Sequence, residues 1–438
     1  MRGVLISALL GAASALVIAA TPAAAQDVVI TNANLVIGDG KGPIEGGTVV
    51  VRDGKVIAAG SDVNAPADIP AVDAGGAWVT PGLFATISTL GIWDVGAVSE
   101  SNDQRAGGAP FGAALDTALI VNPNSQHILV HRAAGITRAA TTTLPSASIF
   151  AGQGSIIDLG GDSHPIMQAK AFQMVDLGER GARIAGGSRA AAHVLFKAAL
   201  REAEALGSGL PRTPEIAQEG EVLLGRFDAE ALRPVVSGEQ KLYVHVERAS
   251  DIRTVLALKE DFPKLDMVLV GASEGWLAAK DIAAAGVPVI ADSLDDLPDT
   301  FEQLAATQSN IGRMARAGVK VAVNAVAMED PRRLSQHAGN LVALASVPGA
   351  AGLSWGQAFA AISSIPAQIS GVGDQVGTLS AGSLGDIVIW DGDPLEVGSV
   401  PKVVYIEGVE QSLESHQSRL RDRFRNLDES ELPKAYDW

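Results

Sequence analysis

Two stretches that read only as short strands and turns stand far apart in this chain, with a long alternation of strands and helices between them. The first covers residues 27–77. It contains GGTVVVRDGKVIAAG, where Asp53-Gly54 separates two valine-rich runs as a hairpin turn does. The second, residues 377–410, reads GTLSAGSLGDIVIWDGDPLEVGSVPKVVYIEGVE. Isolated hairpins are marginal in water, so each stretch needs a partner. The simple reading is that the two, 26–78 and 371–410, make one small β-domain together.

The middle, residues 79–370, offers ILVHRAAGITRAATTT, AGQGSIIDLGG, KLYVHVER, LDMVLVGAS, AGVPVIAD and AGVKVAVNAV as strands. HVLFKAALREAEAL, ASDIRTVLALKEDF, EGWLAAKDIAAAG and SNIGRMARAG are expected as helices. Repeated strand–helix units imply a parallel sheet. A segment of this length suits one TIM (β/α)8 barrel with insertions. A doubly wound open sheet has the same local pattern, and periodicity does not separate the two. Residues 411–438 read as a charged, initially helical tail, with Leu413, Leu420, Phe424 and Leu427 at helical spacing.

Arg2, the Ala-rich apolar run Val4–Ala20, the break at Thr21-Pro22 and the small residues Ala23–Ala25 form a secretory signal pattern. Residues 1–25 are expected to be removed after Ala25, leaving a periplasmic protein that begins at Gln26 and has no membrane contact. The alternative is a membrane anchor. The chain has no cysteine, which excludes disulfides, thiolate metal sites and cysteine nucleophiles. Fifty acidic and 33 basic residues give a net charge of −17, which argues against a nucleic-acid partner.

Several pieces together resemble the amidohydrolase superfamily, in its imidazolonepropionase-like branch. They are VITNANLVIGDG, GGTVVVRDGKVIAAG and VDAGGAWVTPGL near the start, WVTPGLFATISTLG at 78–91, and VGTLSAGSLGDIVIWDGDPL at 376–395. The resemblance implies a TIM barrel beside a composite β-sandwich. It also implies metal-dependent hydrolysis of C–N bonds in small amide-like substrates, with zinc as the cofactor. Its first-strand histidines fall on Ile87 and Thr89, and its aspartate falls on Ala85. The strand-5 histidine is kept as His245. The strand-6 histidine falls on Ala272 and the strand-8 aspartate on Val326. Lys170, Lys197 and Lys241 are available for a bridging lysine, but none sits in a motif. A catalytic zinc needs three protein ligands and an open position. No metal ligand set is therefore expected, and zinc enters by resemblance only.

His245 and Glu247 lie two apart on one strand and share a face, and Glu274 and Asp292 follow the next two strands, whose ends meet at one mouth in a barrel. They are the candidate catalytic residues. Three functions stay open. The first is a divergent hydrolase working at these residues. The second is a non-catalytic pseudoenzyme, binding a small amide-like ligand or supporting an active paralogue in a homo- or hetero-oligomer. The third is a serine hydrolase. Gly271-Ala272-Ser273-Glu274-Gly275 fits G-x-S-x-G between a strand and a helix, and Asp292 or Asp295 and then His337 follow in triad order. Ser273 equally fits a helix cap, with Glu274 complementing the helix dipole. His127 and His131 lie four apart, but the segment after His127 reads as a strand, which separates them.

Overall fold

The computed structural model describes residues 26–207, 224–324 and 330–425. Five strands open it: β1 (Val28–Leu35), β2 (Ile44–Arg52), β3 (Lys55–Gly60), β4 (Ala71–Asp73) and β5 (Trp78–Pro81). Asp53 and Gly54 both take positive φ, 51° and 73°, which matches the β2–β3 turn to the twist of its strands. Eight strands then follow: β6 (Leu83–Ser88), β7 (Ile136–Thr141), β8 (Phe150–Asp158), β9 (Ile166–Asp176), β10 (Lys241–Val246), β11 (Met267–Gly271), β12 (Val289–Asp292) and β13 (Val321–Asn324). Last come β14 (Ile387–Trp390), β15 (Pro401–Ile406) and β16 (Val409–Glu410).

The two β-only stretches form a single sheet in the order β16-β15-β14-β5-β1-β2-β3, with β4 paired to β1. The joint is β14 against β5, antiparallel, with Trp390 opposite Trp78. Ile30, Leu35, Val49, Val51, Val79 and Ile387 pack together as its core. This sheet is the extra layer beside the barrel.

Strands β6 to β13 lie side by side in chain order. Thr86 Oγ1 of β6 donates to Asn324 Oδ1 of β13 at 3.2 Å. Ile362 O accepts from Phe84 N–H and Ala361 O from Val323 N–H, both at 2.9 Å, so two residues fill the seam of a nearly closed barrel. Side chains alternate across each strand. Phe84, Ile87, Phe172, Tyr243, Val268 and Ile290 fill the lumen. Leu242, Val244, Val246, Leu269 and Val289 face the helices.

The parallel-unit reading fails at one strand. β8 runs antiparallel to both β7 and β9, and a short turn replaces the crossover helix. Sequence reading missed β9, whose first half, IMQAK, is largely exposed and shows no apolar run. Residues Gln126–Arg132 are a helix rather than a strand, capped by Ser125 Oγ, which accepts from His127 N–H at 3.3 Å. His127 and His131 therefore share a helix, yet they form no metal pair. The His127 ring stacks on Trp93 with centroids 3.8 Å apart, and His131 Nδ1 lies 2.6 Å from His127 O. The tail helix His416–Arg425 has no buried residue, so Leu420 and Phe424 do not pack as a stripe. Leu427 lies outside the described residues, as do residues 1–25.

One buried ion pair joins the two sheets. Arg138 of β7 donates from Nε to Asp386 Oδ2 at 2.7 Å and from Nη2 to Asp386 Oδ1 at 2.9 Å. Both groups are almost fully buried, and half-exposed Glu407 adds a contact at 3.0 Å.

Candidate functional site

At the carboxyl ends of the barrel strands lies a cavity of about 470 Å³. Ile87, Asp176, His245, Glu247, Asp292 and Asn324 line it from five strand ends and the residue just past β10. Asp295, Asp299, Glu302 and Gln303 close one side. This end of a barrel is where side chains from different strands converge.

His245 is held between two carboxylates. Its Nε2 lies 3.0 Å from Glu247 Oε1, and its Nδ1 lies 3.3 Å from Asp176 Oδ2. Asp176 stands beside His245 in the β9–β10 register. Gly178 and Gly181 N–H each donate to Asp176 Oδ1 at 3.0 Å. Burial opposes charge on both groups, but their mutual attraction outweighs it. The imidazole is held well above its usual value and Asp176 below the carboxylate range. Sequence reasoning missed Asp176. Its only sequence signal is an acid closing the apolar run FQMV, and the strand register is what gives it meaning.

Glu247 reaches across β11. A Cβ on Gly271 would sit 2.3 Å from Glu247 Oε1, so only glycine fits there, and its φ of 87° also favours glycine. Glu247 Oε2 accepts from Ser273 N–H at 2.8 Å and from Ser273 Oγ at 2.7 Å. Ser273 Oγ also lies 2.6 Å from Asp295 Oδ2, and Gln303 Nε2 donates to it at 3.1 Å. A hydroxyl has one proton, so both carboxylate contacts are hydrogen bonds only when one carboxyl is protonated. Burial raises the Asp295 carboxyl, and Glu247 and Asp299 raise it further against the Ser273 bond.

This geometry does not form the serine triad. Ser273 is fully buried and faces acids rather than an imidazole. His337 lies instead 3.8 Å from Asp292 Oδ1, and burial pushes its imidazole down to about 4. Glu274 also departs from expectation. It is not among the cavity-lining residues, because its carboxylate is occupied by backbone. Ala249 N–H donates to Oε2 at 2.9 Å and Ala305 N–H to Oε1 at 3.0 Å, so Glu274 caps the helix Ala249–Leu256 and pins the loop before Ala305. Asp292 does line the cavity. Burial pushes its carboxyl up to about 7, helped by Asp295 and Glu247 and opposed by the Leu294 N–H.

The residues present do not fit a catalytic zinc. Ile87 offers hydrocarbon to the cavity, while Thr89 is buried and its hydroxyl accepts from Gln104 Nε2 at 3.0 Å. Ala272 is buried with a left-handed φ of 51°, and Val326 lies outside the described residues. Both nitrogens of His245 face carboxylates, which leaves no lone pair for a metal while the ring is charged. Among the described residues, no group of three or more His, Asp or Glu side chains is arranged to hold a metal ion.

Residues 240–413, less than half of the chain, match the model of the amidohydrolase family. Over 60 residues the chain is 43% identical to the amidohydrolase tasK of Hapsidospora irregularis, a match spanning 14% of this chain and only 6% of that protein. The fold is similar to that of an amidohydrolase from Thermotoga maritima MSB8, with a TM-score of 0.74 and 23% identity over 87% of this chain and 99% of that one. It is also similar to a prolidase complexed with N-methylphosphonate-L-proline, with a TM-score of 0.53 and 15% identity over 88% and 99% of the two chains. A molinate hydrolase gives 0.51 and 15% over 89% and 95%. These likenesses establish the fold.

Proposed function

We propose that this protein is a divergent amidohydrolase of the imidazolonepropionase-like branch whose barrel mouth binds a small amide-like ligand without the family's metal-dependent C–N hydrolysis. The observation that carries this is His245 locked between Asp176 and Glu247. In the family pattern this histidine is a ligand, and here its nitrogens are 3.3 and 3.0 Å from carboxylates. The lumen position before it, Ile87, is apolar. The mouth keeps a charged imidazolium, buried acids and an enclosed volume, which suit recognition of a polar group. The protein acts in the periplasm after removal of residues 1–25, alone or beside an active paralogue.

The test is elemental analysis of protein purified without chelator, together with turnover of N-acyl amino acids, lactams and dipeptides. Expected are substoichiometric zinc and no metal-dependent turnover. One tightly bound zinc per chain, lost with an activity in His245→Ala, refutes the proposal. A second reading is favoured by the Asp292 carboxyl, raised to about 7, where a group passes a proton either way near neutrality. Turnover that resists chelators, follows a pH profile breaking near that value and vanishes in Asp292→Asn would establish metal-free acid–base hydrolysis instead.

A further inference from the structure

Between β12 and the helix Asn310–Arg316, residues 293–309 form neither helix nor strand. Irregular loops of this length inside a compact domain are commonly lids or binding loops. Asp295, Asp299, Thr300, Glu302 and Gln303 of this one loop line the mouth. Both ends of the loop are fixed. Ser293 is buried, and its hydroxyl donates to His337 O at 3.1 Å. At the other end Ala305 N–H donates to Glu274 Oε1 at 3.0 Å, and Ala305 O accepts from Trp276 Nε1 at 2.9 Å.

The stretch between these ends, residues 294–304, is caught on the barrel by polar side chains. Glu302 Oε2 accepts from Glu179 N–H at 2.8 Å and from Arg189 Nη2 at 3.1 Å. Asp295 and Gln303 both meet the Ser273 hydroxyl. The large apolar side chains of the stretch turn outward instead. Leu297 is 77% exposed, Phe301 82% and Leu304 65%, and Leu294 is exposed as well. Lifting the stretch therefore pulls no large apolar side chain of its own out of a core, and water can replace the polar contacts. A segment with so few buried apolar contacts opens at far lower cost than the fold as a whole.

The two catches differ in strength. Glu302 is buried and pairs its carboxylate with a guanidinium and a backbone N–H. A hydrogen bond to a charged partner is worth roughly tenfold or more in an equilibrium. The Ser273 catch is the weaker, because one hydroxyl proton cannot serve Glu247 and Asp295 together while both are ionised. Lifting the stretch removes Asp295 and Gln303 from Ser273, which is fully buried while they lie against it.

We infer that residues 294–304 are a lid that swings off the mouth as one piece, pivoting at Ser293 and Ala305 and caught by Glu302 and Ser273. Its role as an entrance rests on reading the mouth as a ligand site. The chain has no cysteine, so Leu297→Cys with Val194→Cys carries the only two nitroxide labels. Val194 is exposed on the helix Arg189–Gly207, outside the lid. Double electron–electron resonance on the full chain without ligand should give a main closed distance and a second, open one. Glu302→Gln loses the charge of its catch and should raise the open-to-closed ratio about tenfold. Asp295→Asn should lower that ratio, since an amide brings its own proton to the Ser273 hydroxyl. A control pair off the lid, Val194→Cys with Lys280→Cys, should give one distance throughout. One unmoved lid distance in all three backgrounds overturns the lid, as does a shift that the control pair shares. Calorimetric titration with acetamide and N-acetylglycinamide separates the two proposals. A lid that moves without ligand in a protein that binds neither amide counts against the mouth as a ligand site and leaves the lid standing.

Discussion

Replacing Arg138 with methionine removes the guanidinium that ties the barrel to the terminal sheet. The pair is 1% and 3% exposed, and its two bonds are 2.7 and 2.9 Å long. Removing one member of a buried pair strands the other charge, at a cost of about 3–5 kcal/mol. The Glu407 contact adds little, since that side chain is half exposed. Asp386 keeps one donor after the change, because Glu407 N–H still donates to Oδ1 at 3.0 Å. The cost should therefore fall at the lower end, about 3 kcal/mol. In Arg138→Met with Asp386→Leu neither charge is buried, and the cost should shrink to about 1 kcal/mol. Urea unfolding followed by far-ultraviolet circular dichroism measures both at neutral pH. A single variant costing less than about 1 kcal/mol, or a double variant as unstable as the single one, refutes the reasoning.

Further outcomes concern the mouth and the chain start. The folded Asp292 carboxyl titrates near 7, above the unfolded value of about 3.9. Folding is penalised as this group ionises, so Asp292→Asn should gain about 1–3 kcal/mol above pH 7 and nothing below about pH 4, read from unfolding curves across that range. His245 is raised, so its stabilisation is fully present below about pH 6.5 and is lost as pH rises through the folded value. Glu247→Gln should bring that loss to lower pH, followed by the nitrogen chemical shifts of the imidazole. Exported protein should have the intact mass of a chain starting at Gln26, and a mass that retains Met1 refutes the signal assignment.

The terminal strands were legible because their patterns are local: Asp53-Gly54 announces its hairpin, and the apolar run IVIW is closed by the turn residues Gly392-Asp393-Pro394. The antiparallel β8 was not, because strand direction is not written in apolar runs. At the mouth, His245 and Glu247 were found two apart on one strand, and Asp292 by its place after a strand. Asp176 was invisible because nothing in FQMVD announces that β9 lies beside β10 in that register. Glu274 looked equivalent to Asp292 in sequence, both being acids after a strand. Two backbone N–H groups separate their roles, and such groups carry no sequence signature. Ser273 shows the same limit, since a pentapeptide fixes a turn but not whether acid or imidazole faces the hydroxyl.

The pairing of β14 with β5 has a kinetic consequence. Trp390 Nε1 donates to Thr80 Oγ1 across 310 residues of sequence. During synthesis the first five strands wait for a partner that is made almost last, with β5 presenting an open edge meanwhile. Open edges recruit other chains, and contacts this distant slow folding. Gln26 N–H meanwhile donates to Gly408 O at 2.9 Å, so the start of the sheet and its last hairpin are neighbours in space. A circular permutant that joins the chain after β16 to Gln26 and opens in the exposed turn at Gly107-Gly108 would place β14 shortly before β1 to β5 in sequence. It should refold faster and aggregate less than the natural order, with the same final sheet.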